Sequence, residues 1–294
     1  MSGSTHRRFV SYIDKSREYY AAQGYDRPYR WPIPNERPAF TPLPGPLATL
    51  RLGLVTSAYP LPPRGEVAPV EVPYAQPVEP LPTTKFSADT NRDTSAAPAN
   101  ERESYLPLAR LGEAAAAGRI GSLSPRFYGA PFDYSQRRTT EQDAPAVVEL
   151  LRADSVDVAM LVPHCPVCHQ SLSLVARHVE AAGIPTVVVG SARDIVEEIG
   201  VPRFLFVDLP LGYPIGRPGD AAQQASICAQ ALDLLEAAGA PRTTAHADAE
   251  WGDDAWRDEY MRVDETTRTA LAAAGASRRQ DQARAREVGQ TRTT

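Results

Sequence analysis

Several whole classes of protein are excluded by what this chain has little of. It holds three cysteines in 294 residues. That is too few, and too clustered, for the disulfide scaffold of a secreted domain, so a cytoplasmic setting is expected. No apolar run approaches the roughly 20 residues that span a bilayer, and the polar stretch Met1 to Val10 has no signal-peptide core. No membrane role is expected. Positive charge is not in excess: 31 Lys and Arg stand against 36 Asp and Glu, a net charge of −5. Phosphate contacts need a clustered basic surface, so no nucleic-acid partner is expected. Gly118-Arg119-Ile120-Gly121 follows no strand and has the wrong spacing for a dinucleotide loop, and no nicotinamide or ATP signature is present.

Proline, by contrast, is abundant. Fifteen of the 28 prolines fall between Pro28 and Pro82. Proline removes a backbone donor and fixes φ, so this segment cannot be a continuous helix or a central strand. The exception is Leu50 to Thr56, a short apolar run that predicts a buried strand. An extended arm over residues 1–48, this strand, and a long Pro-rich loop or disordered stretch over Pro60–Pro82 are therefore expected.

From Glu101 onward the pattern becomes regular. Helices are predicted over Glu101–Gly118, Thr140–Ala153, His169–Ala182, Ala192–Ile199 and Asp220–Ala238. Strands are predicted over Val156–Val162, Pro185–Val189 and Phe204–Val207. Wholly apolar strands alternating with amphipathic helices imply an α/β fold, a doubly wound and mostly parallel sheet with helices on both faces. The domain is placed at residues 49–242, followed over 243–294 by a helix carrying Trp251, Trp256 and Tyr260 and then a partly disordered tail from Ala276, where large apolar side chains are nearly absent.

Ligands of open α/β sheets bind beyond the carboxyl ends of the strands. Of the segments there, Pro163-His164-Cys165-Pro166-Val167-Cys168-His169 is the most informative. A cysteine at a helix amino terminus feels the positive end of the macrodipole, which favours thiolate. A second cysteine one turn on is near enough to pair with it. Cys165 is thus the candidate nucleophile and Cys168 the candidate resolving thiol, with His164 or His169 adding charge or moving a proton. Two other readings stay open: the same spacing suits zinc, and small buried cysteines suit a strand–helix junction. No metal is assigned. Cys228, inside the last predicted helix, reads as core. In the loop Asp208 to Asp220, Arg217 is the residue best placed for a substrate carboxylate, Gly216 and Tyr213 are substrate-side elements, and Asp220 is the expected cap of the next helix. Tyr128, Thr56 and Ser57 are candidate wall residues.

At these residues the chain resembles the selenoprotein B family of glycine, sarcosine, betaine and D-proline reductases. The likeness runs through Glu103 to Leu111, Gly118 to Tyr128, Val156 to Cys168, Leu174 to Pro185, and Val207 to Asp220. It implies an α/β fold and an intracellular reductase that cleaves a bond next to the carboxylate of a small amino-acid-like substrate. Cys165 stands at the position of the selenocysteine or cysteine nucleophile and Cys168 at that of its resolving partner. The likeness also implies a pyruvoyl group on a partner subunit rather than a cofactor in this chain, and an external dithiol as reductant. A thiol-dependent lyase or sulfur-transfer enzyme, and a non-catalytic metal-binding or assembly subunit, are the alternatives. A partner subunit or a homo-oligomer is expected, because the Pro-rich arm with Tyr25, Tyr29 and Trp31 gains little lying alone on water.

Overall fold

The computed structural model describes residues 9–60, 72–81 and 101–287. Much of the expected Pro-rich loop and the last seven residues of the expected tail lie outside the described residues.

The sheet is mostly parallel. Its strands are β1 (Arg51–Thr56), β2 (Tyr74–Pro77), β3 (Ser122–Leu123), β4 (Arg126–Gly129), β5 (Val158–Val162), β6 (Thr186–Gly190), β7 (Arg203–Phe206) and β8 (Thr243–His246). They are ordered β2-β4-β1-β5-β6-β7-β8, with β3 paired to β1. Every pairing is parallel except that of β2 with β4. Helices α2 (Leu108–Ala116) and α6 (Ala221–Ala237) cover one face; α3 (Ala144–Ala153), α4 (Pro166–Ala181) and α5 (Arg193–Ile199) cover the other. The period of two along β5 shows how both faces are filled. Val158, Met160 and Val162 join the core under α2 and α6, while Ala159 and Leu161 join that under α3 and α4. This is the doubly wound α/β architecture expected from the apolar strands.

The topology also fixes where a ligand would sit. From β1 the chain crosses to β4 on one side, and from β5 it proceeds to β6 on the other. The two central neighbours therefore diverge, leaving a crevice at their carboxyl ends. Ser57 lies just past the end of β1, and His164 and Cys165 just past the end of β5.

Several local expectations are corrected. The helix predicted over Glu101–Gly118 is regular only from Leu108, because Pro107 cannot sit inside it. The one predicted from Thr140 begins as a π turn, Thr139–Asp143, before α3. The boundary expected after Arg242 is followed at once by β8, the outermost strand beyond β7. There His246 sets its ring 5.3 Å from that of Phe206. Of the helix expected around Trp251 and Trp256, one short turn forms, α7 (Trp256–Glu259), and Trp256 buries its ring beside Tyr12 and Ile195. Of the region read as tail from Ala276, residues 276–287 form the second half of a helix, α8 (Glu265–Glu287). It has little apolar surface of its own but leans on α1 (Tyr12–Ala22), where Gly275 meets the Gln23 backbone so closely that no Cβ would fit. Arg278 and Arg279 hydrogen-bond to Gln23 at 2.8 and 2.6 Å.

The amino-terminal arm is not wholly extended, since α1 interrupts it, and its Pro-rich part runs across the domain. Thr41 N–H donates to Glu180 (2.7 Å), Arg177 to the Glu36 carbonyl (2.8 Å), and Tyr29 to Gln170 Oε1 (2.8 Å). No helix among the described residues is long and apolar enough to cross a membrane.

Candidate active site

Cys165 is the N-cap of α4. Its backbone is extended (φ −130°, ψ 167°), Pro166 follows in the first turn, and its sulfur accepts the Cys168 N–H at 3.2 Å. Proline suits that first position because its missing N–H would have no helical partner anyway. The sulfur takes the place of a capping oxygen, at the positive end of a 16-residue helix. One turn on, Cys168 is bonded to it as a disulfide, with Cα atoms 4.9 Å apart. Cys165 retains 5% exposure and Cys168 none. Any reagent must therefore meet Cys165 first.

The two flanking histidines have different duties. His169 is buried, its Nδ1–H donating to the Cys165 carbonyl (2.7 Å) while Nε2 accepts the N–H groups of Ser191 and Ala192 (3.0 and 3.2 Å). Both ring nitrogens are thus committed to backbone. The ring ties the start of α4 to the loop after β6 and is held neutral, burial pushing it down to about 4. Gly190 makes room for it, since a Cβ there would lie 2.6 Å from Nε2. Gly190→Ala is accordingly expected to cost about 1–3 kcal/mol through overpacking and to slow alkylation of reduced Cys165 by tilting the cap. Urea denaturation and timed labelling would measure the two effects.

His164 faces the pair. Its Nδ1 lies 2.8 Å from Ser57 Oγ and its Nε2 3.9 Å from Cys168 Sγ. The imidazole is wholly buried and pushed down to about 3, chiefly by desolvation and secondarily by His169. Aromatic rings enclose it: Tyr105 at 6.4 Å and Phe132 edge-on at 6.3 Å, with Tyr59 stacked on Phe132 at 6.0 Å. Phe132 also packs against Cys165, Val167 and Cys168. It stands in a short loop after β4 flanked by Pro131, a position that periodicity does not single out, and sequence reasoning missed it.

The donor atoms of His164, Cys165 and Cys168 lie within 4.8 Å of one another. These are three of the four ligands of the zinc reading; the fourth, His169, has both nitrogens on backbone groups. Thiolate ligation needs two separate sulfurs, and here they are joined to each other.

The remaining candidate residues divide. Ser57 is brought to the pair through His164. Thr56 is buried and its Oγ1 accepts the Ala58 N–H (3.0 Å), a turn contact rather than an open wall. Tyr128 points the other way. Its hydroxyl bonds to Ser124 (2.7 Å) and Asp154 (2.6 Å), and Asp154 precedes β5, at the end of the sheet opposite the cysteines. The Arg217 guanidinium pairs with Asp220 (2.7 Å) and approaches the Trp251 carbonyl, while the Arg217 backbone N–H donates to Gln223 Oε1 (2.8 Å). Gly216, at φ +114°, allows that loop to turn. Tyr213 is buried against Trp251 at 5.1 Å. Asp220 caps α6, accepting the Gln223 N–H as expected, and Cys228 is core. Contacts from outside hold the loop as well, since Ser104 and Glu101 accept the N–H groups of Ile215 (2.9 Å) and Gly219 (3.0 Å).

Two curated relatives match the chain. One is the D-proline reductase subunit gamma of Acetoanaerobium sticklandii, 28% identical over 152 residues, 51% of this chain and 59% of that protein. The other is the glycine reductase complex component B subunit gamma of Carboxydothermus hydrogenoformans, 24% identical over 124 residues, 42% of this chain and 28% of that protein. The chain thus spans less than two thirds of either relative's length. No family model matches it, and no solved structure does. The resemblance to selenoprotein B reductases drawn from the motifs is borne out by these two relatives.

Proposed function

We propose that this chain is the thiol-bearing subunit of a reductase acting on a small amino-acid-like carboxylate, with Cys165 as nucleophile and Cys168 as resolving thiol. One observation carries the reading: a cysteine pair at the amino end of α4, in the crevice where β1 and β5 diverge, with only Cys165 reaching the surface and its sulfur receiving a helix N–H. The N–H and the helix dipole stabilise a Cys165 thiolate in the reduced protein. The names of the relatives, both reductase subunits, support the reaction class.

In the proposed sequence the Cys165 thiolate attacks the substrate carbon next to the carboxylate. A sulfur–carbon bond forms and the carbon–nitrogen bond breaks, its electron pair leaving on nitrogen, which takes a proton. The Cys168 thiolate then attacks the Cys165 sulfur. The carbon departs with the pair from the sulfur–carbon bond and is protonated, and the two sulfurs end as a disulfide. Substrate is thereby reduced by two electrons, which an external dithiol restores. A pyruvoyl group on a partner subunit would make the substrate nitrogen a better leaving group. Within this chain, Tyr59, Phe132 and Tyr105 limit the access of water to the sulfurs.

The test is anaerobic incubation of the reduced chain with candidate amino-acid and imino-acid carboxylates, in the presence of a pyruvoyl-containing partner subunit. Cys168→Ser is expected to accumulate a covalent adduct on the Cys165 peptide, found by mass spectrometry, because the thioether can no longer be opened. Should no carboxylate yield an adduct in either form while the reduced protein retains stoichiometric zinc, the metal-binding reading replaces this one.

A further inference from the structure

Ser57 and His164 are 107 residues apart in the chain and meet only because β1 and β5 are neighbours. Ser57 is 1% exposed, and among the described residues its hydroxyl has a single hydrogen-bond partner, His164 Nδ1 at 2.8 Å. A buried hydroxyl proton needs an acceptor. The Ser57 O–H therefore donates to Nδ1, and the ring proton must sit on Nε2, the nitrogen 3.9 Å from Cys168 Sγ. We infer that Ser57 is a positioning residue for opening the Cys165–Cys168 disulfide: it fixes the His164 tautomer whose N–H receives Cys168 as a leaving thiolate.

This rests on the reading of the pair as a working redox couple. Cys165 is the sulfur with exposed surface, so one thiolate of a dithiol reductant attacks there. The bond between the cysteines breaks and its electron pair leaves on Cys168, against the Nε2–H. A donor 3.9 Å from the neutral sulfur is placed to shorten once that sulfur carries charge. The reductant's second thiolate then attacks its own sulfur in the mixed disulfide, releasing Cys165 as thiolate and closing the reagent into its oxidised ring. Two electrons pass to the protein, and the reagent's two protons go to solvent or to the cysteines. The donors are divided, with Cys165 served by the Cys168 N–H and Cys168 by the His164 ring. His169 takes no part, since both its nitrogens are occupied.

The experiment needs no substrate. The oxidised full chain is mixed with dithiothreitol, opening is followed by acid quench, alkylation and mass spectrometry, and the pair's potential is measured against the dithiothreitol couple. Ser57→Ala is expected to slow opening about tenfold and to shift the equilibrium about tenfold toward the disulfide, about 30 mV lower in potential. Ser57→Thr retains the hydroxyl and is expected to restore both values. His164→Phe keeps a ring but removes the N–H, and it should reproduce the loss seen in Ser57→Ala. The inference is overturned if Ser57→Ala or His164→Phe leaves rate and potential unchanged, or if Ser57→Thr shifts them as far as alanine does. A substrate adduct on Cys165 is scored separately, so either result can fail without the other.

Discussion

Cys165→Ser is expected to lower turnover by at least about 10³-fold, equivalent to about 4 kcal/mol in the barrier, while the protein stays folded. The reason lies in the two jobs this residue holds. As a cap it offers an acceptor to the Cys168 N–H, and a serine oxygen does that at least as well as sulfur. As a nucleophile it must be an anion near neutral pH, which a helix terminus can secure for a thiol but not for an alcohol. Activity and stability should therefore separate. Anaerobic turnover is expected to vanish while the urea midpoint moves little once compared with the reduced wild type. Cys228 is the internal control, since burial raises its thiol well above the ordinary range and alkylating reagents should reach it last. If Cys165→Ser turned substrate over at the wild-type rate, the nucleophile would have to be sought elsewhere.

Glu180→Ala is expected to cost about 3–5 kcal/mol, the penalty for orphaning a buried charge. Against a total stability of roughly 5–15 kcal/mol that is a large fraction. Glu180 is fully buried and Arg203 is 1% exposed, joined at 2.9 Å beneath the amino-terminal arm. The carboxylate also accepts the Thr186 N–H and hydroxyl (2.6 and 2.7 Å) and the Thr41 N–H (2.7 Å). Arg203 in turn donates to the Thr41 carbonyl (2.9 Å) and stacks on Phe40 at 4.2 Å. The pair thus fastens the arm as well as joining α4 to the sheet. Removing the acid should lower the urea midpoint and open the segment around Phe40 and Thr41 to limited proteolysis. The double variant Glu180→Ala/Arg203→Met removes both charges and is expected to be milder than the single one. If the double variant were worse, the energy would lie in packing rather than in the unpaired guanidinium.

Legibility in the sequence followed the range of the interactions involved. The strands from Val158 to Phe206 and the helices between them could be read because their apolar periodicity is local. The cysteine pair beside a helix start could be read for the same reason, since His164 to His169 are consecutive, but the helix begins at Pro166 rather than at the expected His169, and that makes Cys165 its cap. β8 was not legible: Thr243–His246 has no apolar run, being an edge strand with one neighbour. Nor was the second half of α8, whose composition matches a tail until Gln23 supplies partners for Arg278 and Arg279. Tyr128 reads as a candidate wall residue, but the direction of its side chain depends on Asp154, a residue 26 positions on.

By itself the sequence determined a wound α/β unit with two sulfurs at a helix start, because hydrophobic period and capping chemistry act over a few residues. Only the tertiary structure decided which side chains meet those sulfurs. Strand order brought Ser57 to His164, Phe132 over the cysteines and Glu180 under the arm, and it took Tyr128 to the far end. Such partners are selected by long-range pairing of strands, which leaves no periodic trace in the chain.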